Sequence, residues 1–481
     1  MFKFVCCFFC LLISLTACHQ QEANQRQDIR FAVAQAPINL DPRYATDAAS
    51  ARVNRLLYRS LVGFDASSKP VADLATWQVI SPTQYRFKLG EAGRKFHDGS
   101  QLSTKDVQAT YESLLALKDS PLSAEFTNIR RIETLDGTRL DIYLKAADSA
   151  FPAKLIIGIL PASQIATGRD FSHHPLGSGA LAFVRWTNTL ELKRVVDSQA
   201  ITLLEVKDPT VRILKLMRGE VDILQGDLPP ELVRYLKGQP NIKVSESNGA
   251  NFSYLGFNLQ DKTLANLKVR QAVAHAINRP EIIQQALVGG TREAGAILPP
   301  EHWAGNPTLK PYAYNPALSK KLLKEAGVQL PLHLVYKTST DAQRVRLATI
   351  MQAQMAEAGI ALEIKSLDWG TFFEDVKQGH FQLFGLTWVG INTPDIYAKA
   401  FGSDNAPPKG FNRGRFSDAQ LDALLAKQDW KAATNFIHQQ LPYVPLWYEG
   451  QFAATQVGIS EYAPKTDGNW DDLATVVRQS H

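Results

Sequence analysis

Gly177-Ser178-Gly179-Ala180-Leu181-Ala182 has the spacing of the Gly-x-Gly-x-x-Gly/Ala loop that wraps a dinucleotide pyrophosphate. That chemistry needs a helix opening directly after the glycines, so that backbone N–H groups meet the phosphates. Pro175 precedes the loop and Leu181 to Trp186 reads as a strand, so nucleotide binding is not expected there. His173-His174 and His97-Asp98 are pairs suited to metal ligation. Adjacent side chains do not converge on one ion without partners from elsewhere, and both pairs are expected in solvated loops. The chain carries no Gly-x-Ser-x-Gly elbow, no His-Glu-x-x-His pair and no phosphate loop ending in Gly-Lys-Ser/Thr. No catalytic residue, metal or cofactor is expected, and the chain does not read as an enzyme.

The aromatic residues suit a different task. Trp303, Trp369, Trp388, Trp430, Trp447 and Trp470 all fall in the second half, with Tyr254, Phe372, Phe373 and Tyr397 among them. Rigid rings with one polar handle fit a cleft that encloses a small ligand, although most of them are expected in the core.

The elements that would hold such a cleft alternate between strand and helix. Ile29 to Ala34 reads as a strand, Ala48 to Leu61 as a helix and Tyr85 to Leu89 as a strand. Ser103 and Asp106 form a capping-box pair before a helix over Thr104 to Leu117, with Val107, Tyr111, Leu114 and Leu115 on one face. Leu332 to Tyr336 is a strand, and Asp341 caps a helix with Val345, Ala348, Met351 and Met355 on one face. Gly359 stops that helix, and Ala361 to Leu367 is the next strand. Strand, helix, strand implies parallel pairing and an α/β class. A further helix, Pro316 to Ala326, runs from an Asn315 cap to a Gly327 stop.

The 481 residues are 45% hydrophobic and 21% charged, with 30 Gly and 25 Pro, which excludes collagen-like and disordered chains. Fifty-two Lys and Arg against 47 Asp and Glu give +5 with the charges scattered, so no nucleic acid partner is expected. The chain starts with Lys3, an apolar run and Leu15-Thr16-Ala17-Cys18, which reads as a signal peptide over residues 1–17. Its end resembles a bacterial lipobox, so lipidation at Cys18 and a polar tether over 18–27 are expected. All four cysteines (Cys6, Cys7, Cys10 and Cys18) lie in the first 18 residues, and stability is expected from packing without disulfides.

From Asn39-Leu40-Asp41-Pro42-Arg43-Tyr44-Ala45 onward the chain resembles the family 5 extracellular solute-binding proteins, the oligopeptide, dipeptide and nickel receptors of ABC importers. The resemblance continues through Lys95-Phe96-His97-Asp98-Gly99-Ser100, Thr104-Lys105-Asp106-Val107, Tyr111-Glu112-Ser113-Leu114 and Gly177-Ser178-Gly179. Met217-Arg218-Gly219-Glu220-Val221-Asp222 and Tyr254-Leu255-Gly256-Phe257-Asn258 follow. The strongest block is Val269-Arg270-Gln271-Ala272-Val273-Ala274-His275-Ala276-Ile277-Asn278-Arg279. It implies a type II periplasmic-binding-protein fold, two lobes around a hinged cleft with an extra small domain. By analogy lobe I takes 28–60, 176–250 and 452–481, the inserted domain 61–175 and lobe II 251–451. The chain then crosses between lobes near Asn248 to Asn258 and near Tyr448.

The resemblance also implies the function: a lipid-anchored monomer of the periplasm or cell envelope. It would bind a peptide or peptide-like solute and deliver it to the permease and ATPase of an importer. The alternatives are a nickel chelate, haem or glutathione as the solute, or a sensor with the same fold. Ligand contacts are implied at Tyr44, Tyr254, Lys337, Trp388, Val389, Gly390, Asn392 and Asp395. In peptide receptors an Asp shortly after Trp-x-Gly pairs with the peptide amine; the matching position here is Ile391, and the nearest carboxylate is Asp395.

Overall fold

The helix Ala342–Glu357 opens where Asp341 accepts a hydrogen bond from the Arg344 N–H, and it ends before Gly359 at φ +78°. It joins the strands Leu332–Ser339 and Ile360–Leu367, which pair in parallel over eight residues from Leu332↔Ile360 to Ser339↔Leu367. Ala348, Met351 and Met355 are buried on its inner face, while Val345 stays half-exposed. These and the following elements belong to a computed structural model that describes residues 27–45 and 47–479. The leader, Cys18 and most of the tether lie outside the described residues.

The βαβ unit is one end of an eleven-stranded mixed sheet. Its order runs Ile360–Leu367, Leu332–Ser339, Leu383–Trp388, Ile242–Phe257, Tyr443–Gln456, Ile223–Gln225, Ile29–Val33, Ala200–Glu205, Thr189–Arg194 and Leu181–Trp186, with Arg292–Glu293 added beside Tyr443–Gln456. The two longest strands sit at the centre. Ile242 to Ser247 pairs with Gln451 to Gln456, and Asn251 to Gly256 pairs with Tyr443 to Glu449. Between those stretches the register shifts, with Asn248, Gly249 and Ala250 set against Gly450 alone.

Separate cores flank that shift. On one side Ile29, Phe31, Leu56, Leu181, Leu203, Ile223 and Ala453 pack together, beside a smaller cluster of Leu216, Leu236 and Phe452. On the other, Val269, Val273, Leu334, Met351 and Leu446 cover one sheet face, while Phe252, Phe372, Phe384, Phe401 and Tyr443 cover the opposite face. A four-stranded antiparallel sheet of Ala75–Ser81, Gln84–Leu89, Arg139–Leu144 and Ile129–Thr134 forms its own core with the helix Thr104–Ala116. Ser103 and Asp106 make both capping-box hydrogen bonds at that helix. Leu160 and Phe171 join the Ile29 core instead of this small one.

The fold is mixed α/β, as the alternation predicts, and has two lobes, as the resemblance implies. Ala48–Leu57 is shorter than expected, because Tyr58 leaves the helix in an extended conformation and buries its ring. Gly177 to Gly179 leads into a strand, Leu181–Trp186, and a Cβ at Gly179 would meet the Leu56 carbonyl at 2.2 Å. The glycines therefore serve close packing on the first helix. Polar contacts also join stretches far apart in the chain. Arg346 pairs with Glu231, the Trp303 N–H donates to the Ser67 carbonyl at 3.0 Å, and Ser149 bonds Gln428 at 2.9 Å.

Candidate functional site: a polar cavity between the lobes

Where the central strands pass from one core to the other they floor a cavity of about 420 Å³. One wall comes from Arg52 on the helix Ala48–Leu57 and from Gln225 to Leu228. The facing wall is Tyr336 and Thr338 on Leu332–Ser339, Arg344 in the first turn of Ala342–Glu357, and Gly385 on Leu383–Trp388. Asn251, Ser253, Trp447, Glu449 and Gln451 rise from the floor. The volume falls within the range of pockets that enclose small organic ligands.

The lining leaves polar groups without protein partners. Tyr336 is 4% exposed, Asn251 9% and Thr338 1%, and no side-chain hydrogen bond joins any of them to another described residue. Gly385 makes room for the Tyr336 phenol, since a Cβ there would come 1.9 Å from its oxygen. Burial pushes that phenol up to about 12, so it is neutral at physiological pH and can donate as well as accept.

Charged groups in the cavity are also unmatched. The Glu449 carboxylate accepts from the Ser253 hydroxyl at 2.6 Å and from the Thr387 hydroxyl at 2.9 Å, both on one oxygen. No Lys, Arg or His among the described residues pairs with it. The Arg52 guanidinium lies over the Trp470 ring at 5.3 Å and also lacks an ion-pair partner among the described residues. Burial lowers its pKa, against the opposing fields of Asp227 and Asp467. Arg344 likewise makes no ion pair among the described residues.

Of the residues singled out in the sequence, Tyr254 borders this cavity, and its hydroxyl accepts from Arg413 at 3.0 Å. Trp388 lies on the opposite face of the sheet, stacked on Tyr254 at 6.3 Å and under the Arg413 guanidinium at 4.6 Å. Lys337 turns away from the cavity to pair with Asp375 at 2.6 Å, because strand alternation gives the cavity face to Tyr336 and Thr338. Asp395 is committed to Lys399 at 2.9 Å and to the Thr393 hydroxyl. Burial raises the pKa of its carboxyl, but Lys399 and Thr393 outweigh that and hold it below the ordinary range. Tyr44 donates to Asp119 at 3.0 Å and is not part of the cavity lining. Val389 is exposed, and Gly390 turns at φ +69°.

The Asn392 carbonyl is held by His302. The ring Nε2–H donates to it at 3.1 Å, and Nδ1 accepts from the Ala304 N–H at 3.0 Å, so the network fixes the neutral tautomer. Burial lowers the His302 pKa, with the Asn392 carbonyl working against it. The folded state therefore binds this proton less readily than the unfolded chain. The stabilisation is present above about pH 6.5 and is lost as pH falls toward the folded value. Protection of the amides from Val389 to Asp395, with exchange corrected for the intrinsic rate at each pH, is expected to fall between pH 7 and pH 5, and His302→Gln should remove most of that difference. An unchanged pH response in the variant would assign it elsewhere.

Among the described residues no group of three or more His, Cys, Asp or Glu side chains is placed to hold a metal ion. His173 bonds Asp170 at 3.0 Å, and His97 bonds the Gly179 carbonyl at 3.0 Å. No helix among the described residues is long and apolar enough to cross a membrane.

Comparison with known proteins agrees with this geometry. Residues 69–407 match the family described as bacterial extracellular solute-binding proteins, family 5 Middle. The glutathione-binding protein GsiB of Shigella boydii serotype 4 is 29% identical over 491 residues, covering 93% of this chain and 94% of that protein. Among solved structures, the ABC transporter substrate-binding protein CtaP of Listeria monocytogenes superposes with a TM-score of 0.84 at 22% identity, covering 94% of this chain and 99% of that one. The periplasmic binding protein DppA of Helicobacter pylori, in complex with the peptide STSA, does so at 0.76 and 23%, covering 96% and 99%.

Proposed function

Because the chain belongs to the bacterial extracellular solute-binding proteins, family 5, we propose that it captures a peptide or peptide-like solute between its lobes. It then presents that solute to the permease and ATPase of an ABC importer. The observation that carries this reading is the cavity of about 420 Å³ at the strand crossing: among the described residues Glu449, Arg52 and Arg344 there make no ion pair, and the Tyr336, Asn251 and Thr338 side chains make no hydrogen bond. Polar and charged groups that converge on one cavity in this way are arranged for a polar ligand that matches them. The relatives support the same class, one printed as binding glutathione and one solved with a peptide.

The division into lobe I (28–60, 176–250 and 452–481), an inserted small domain (61–175) and lobe II (251–451) belongs to this reading, with the hinge at the register shift. Closure around the solute is then a population shift toward the liganded arrangement. The protein acts by binding alone and catalyses no reaction. Lipidation at Cys18 would tether a monomeric receptor to the envelope through the polar tether, an assignment supported by Leu15-Thr16-Ala17-Cys18 and the apolar run before it. Among the described residues no histidine lines the cavity, which favours a peptide-like solute over a metal complex or haem.

Native mass spectrometry of the folded body, expressed from residue 28 and purified without denaturation, tests the reading. One or more bound masses that fragment as short peptides or amino-acid conjugates are expected. A bound metal complex or porphyrin would overturn the peptide assignment.

A further inference from the structure

We propose that Glu449 is the carboxylate that receives the ammonium group of the solute, with Arg52 facing the solute's carboxylate, so that the cavity selects zwitterions two to three residues long. This rests on the receptor reading above and deepens it.

The acceptor is identified by elimination among the acids near the cleft. Asp395 is held by Lys399, Asp375 by Lys337, and Asp341 caps the helix Ala342–Glu357. Asp227 is exposed on its loop. Glu449 alone is half-buried, borders the cavity and lacks a cation. Its two hydroxyl donors, Ser253 and Thr387, bond the same oxygen, Oε1. The second oxygen has no donor among the described residues. A carboxylate has about four acceptor positions, and two hydroxyls satisfy only part of that capacity. Closing the lobes over such a group leaves a charge in low dielectric unless a cation arrives with the ligand. At the matching turn position, Ile391 offers no charge of its own.

The spacing to the opposite charge gives the length. Gln451 lies two residues beyond Glu449 on the same strand, about 7 Å along it. Both the Gln451 amide and the Arg52 guanidinium approach Gly468, lying 3.0 Å and 2.9 Å from the point a Cβ there would occupy. An extended chain advances about 3.3–3.6 Å per residue, so the ends of a di- or tripeptide span this separation. Arg52 and Gln451 are then poised for the carboxylate end, and the unbonded Tyr336, Thr338 and Asn251 groups for peptide atoms between the ends.

Titration calorimetry on the ligand-stripped, refolded body tests this with tri-L-alanine and reduced glutathione as probes, each also in N-acetylated form. For whichever probe the unaltered protein binds, acetylation is expected to weaken binding about 100-fold, and Glu449→Gln to weaken the free-amine form by a similar factor. The two losses should not add, because both remove the same pair. Glu449→Asp should recover about tenfold over Gln, since charge returns on a shorter arm. Additive losses, or a Glu449→Gln protein that binds the free-amine probe within about threefold of the original, would overturn the assignment of Glu449 and leave the receptor reading standing. If neither probe binds and no solute copurifies, the receptor reading fails and the assignment falls with it.

Discussion

Arg279→Ala is expected to lower the free energy of unfolding by about 3–5 kcal/mol, among the largest losses available to a single side chain here. Arg279 is 1% exposed and has no carboxylate partner. Its guanidinium instead donates to the carbonyls of Pro445 at 2.9 Å, Tyr312 at 2.6 Å and Ala274 at 3.1 Å. Burial brings its pKa down to about 10, which keeps it charged at neutral pH. Removing it would strand several carbonyls away from water and open a cavity the size of the longest side chain. Arg270 acts alike on Leu441, Gln440, Leu264 and Ala265, so the two arginines fix the start of the strand Tyr443–Gln456. Chemical denaturation followed by tryptophan fluorescence would measure the loss. A midpoint unchanged in Arg279→Ala would mean that water satisfies those carbonyls equally well.

Gly249→Val is expected to cost about 3 kcal/mol and to abolish tight solute binding, for a reason that lies in the ladder. A Cβ at Gly249 would come within 1.5 Å of the Glu449 carbonyl oxygen and 3.3 Å of the Gly450 Cα. The side chain has nowhere to go without parting the two central strands at the register shift. Glu449 and Gln451 would move with the parted strand, carrying both ends of the proposed solute site. Gly137→Ala is the control, because no atom lies within 4 Å of its Cβ position and its φ is ordinary. Thermal unfolding and calorimetry on the two variants should separate them. Near-equal behaviour would show that the ladder yields at Gly249 and would free the crossing from the role given to it.

Local signals in the sequence carried the scaffold well. Asp341, Asn315 and Ser103 cap helices as their positions predict, and Gly327 and Gly359 end theirs with positive φ. These features depend on residues within one turn of each other. The cavity was less legible, because Arg52, Asn251, Tyr336 and Glu449 come from four distant stretches that only the sheet order brings together. Lys337 attracted notice by its charge, whereas alternation along Leu332–Ser339 gives the cavity to its neighbours Tyr336 and Thr338. Glu449 had one local mark, a lone acid ending the apolar run Pro445-Leu446-Trp447-Tyr448. Its partners, Ser253 and Thr387, are 196 and 62 residues away, beyond any pattern short-range spacing reveals.

The lobes share one hydrogen-bonded sheet, and on the proposed reading that makes the crossing an elastic element. Closing them must wind a two-stranded ribbon whose ladder shifts register at Asn248 to Ala250 and again between Ser253 and Tyr254. Sheets have a preferred twist, and winding away from it stores energy that favours return. The measured affinity is then what remains after that winding, and the stored torque helps the solute leave once the transporter breaks its end contacts. A stiffer ribbon would hold a solute more weakly and release it sooner; a looser one would do the reverse.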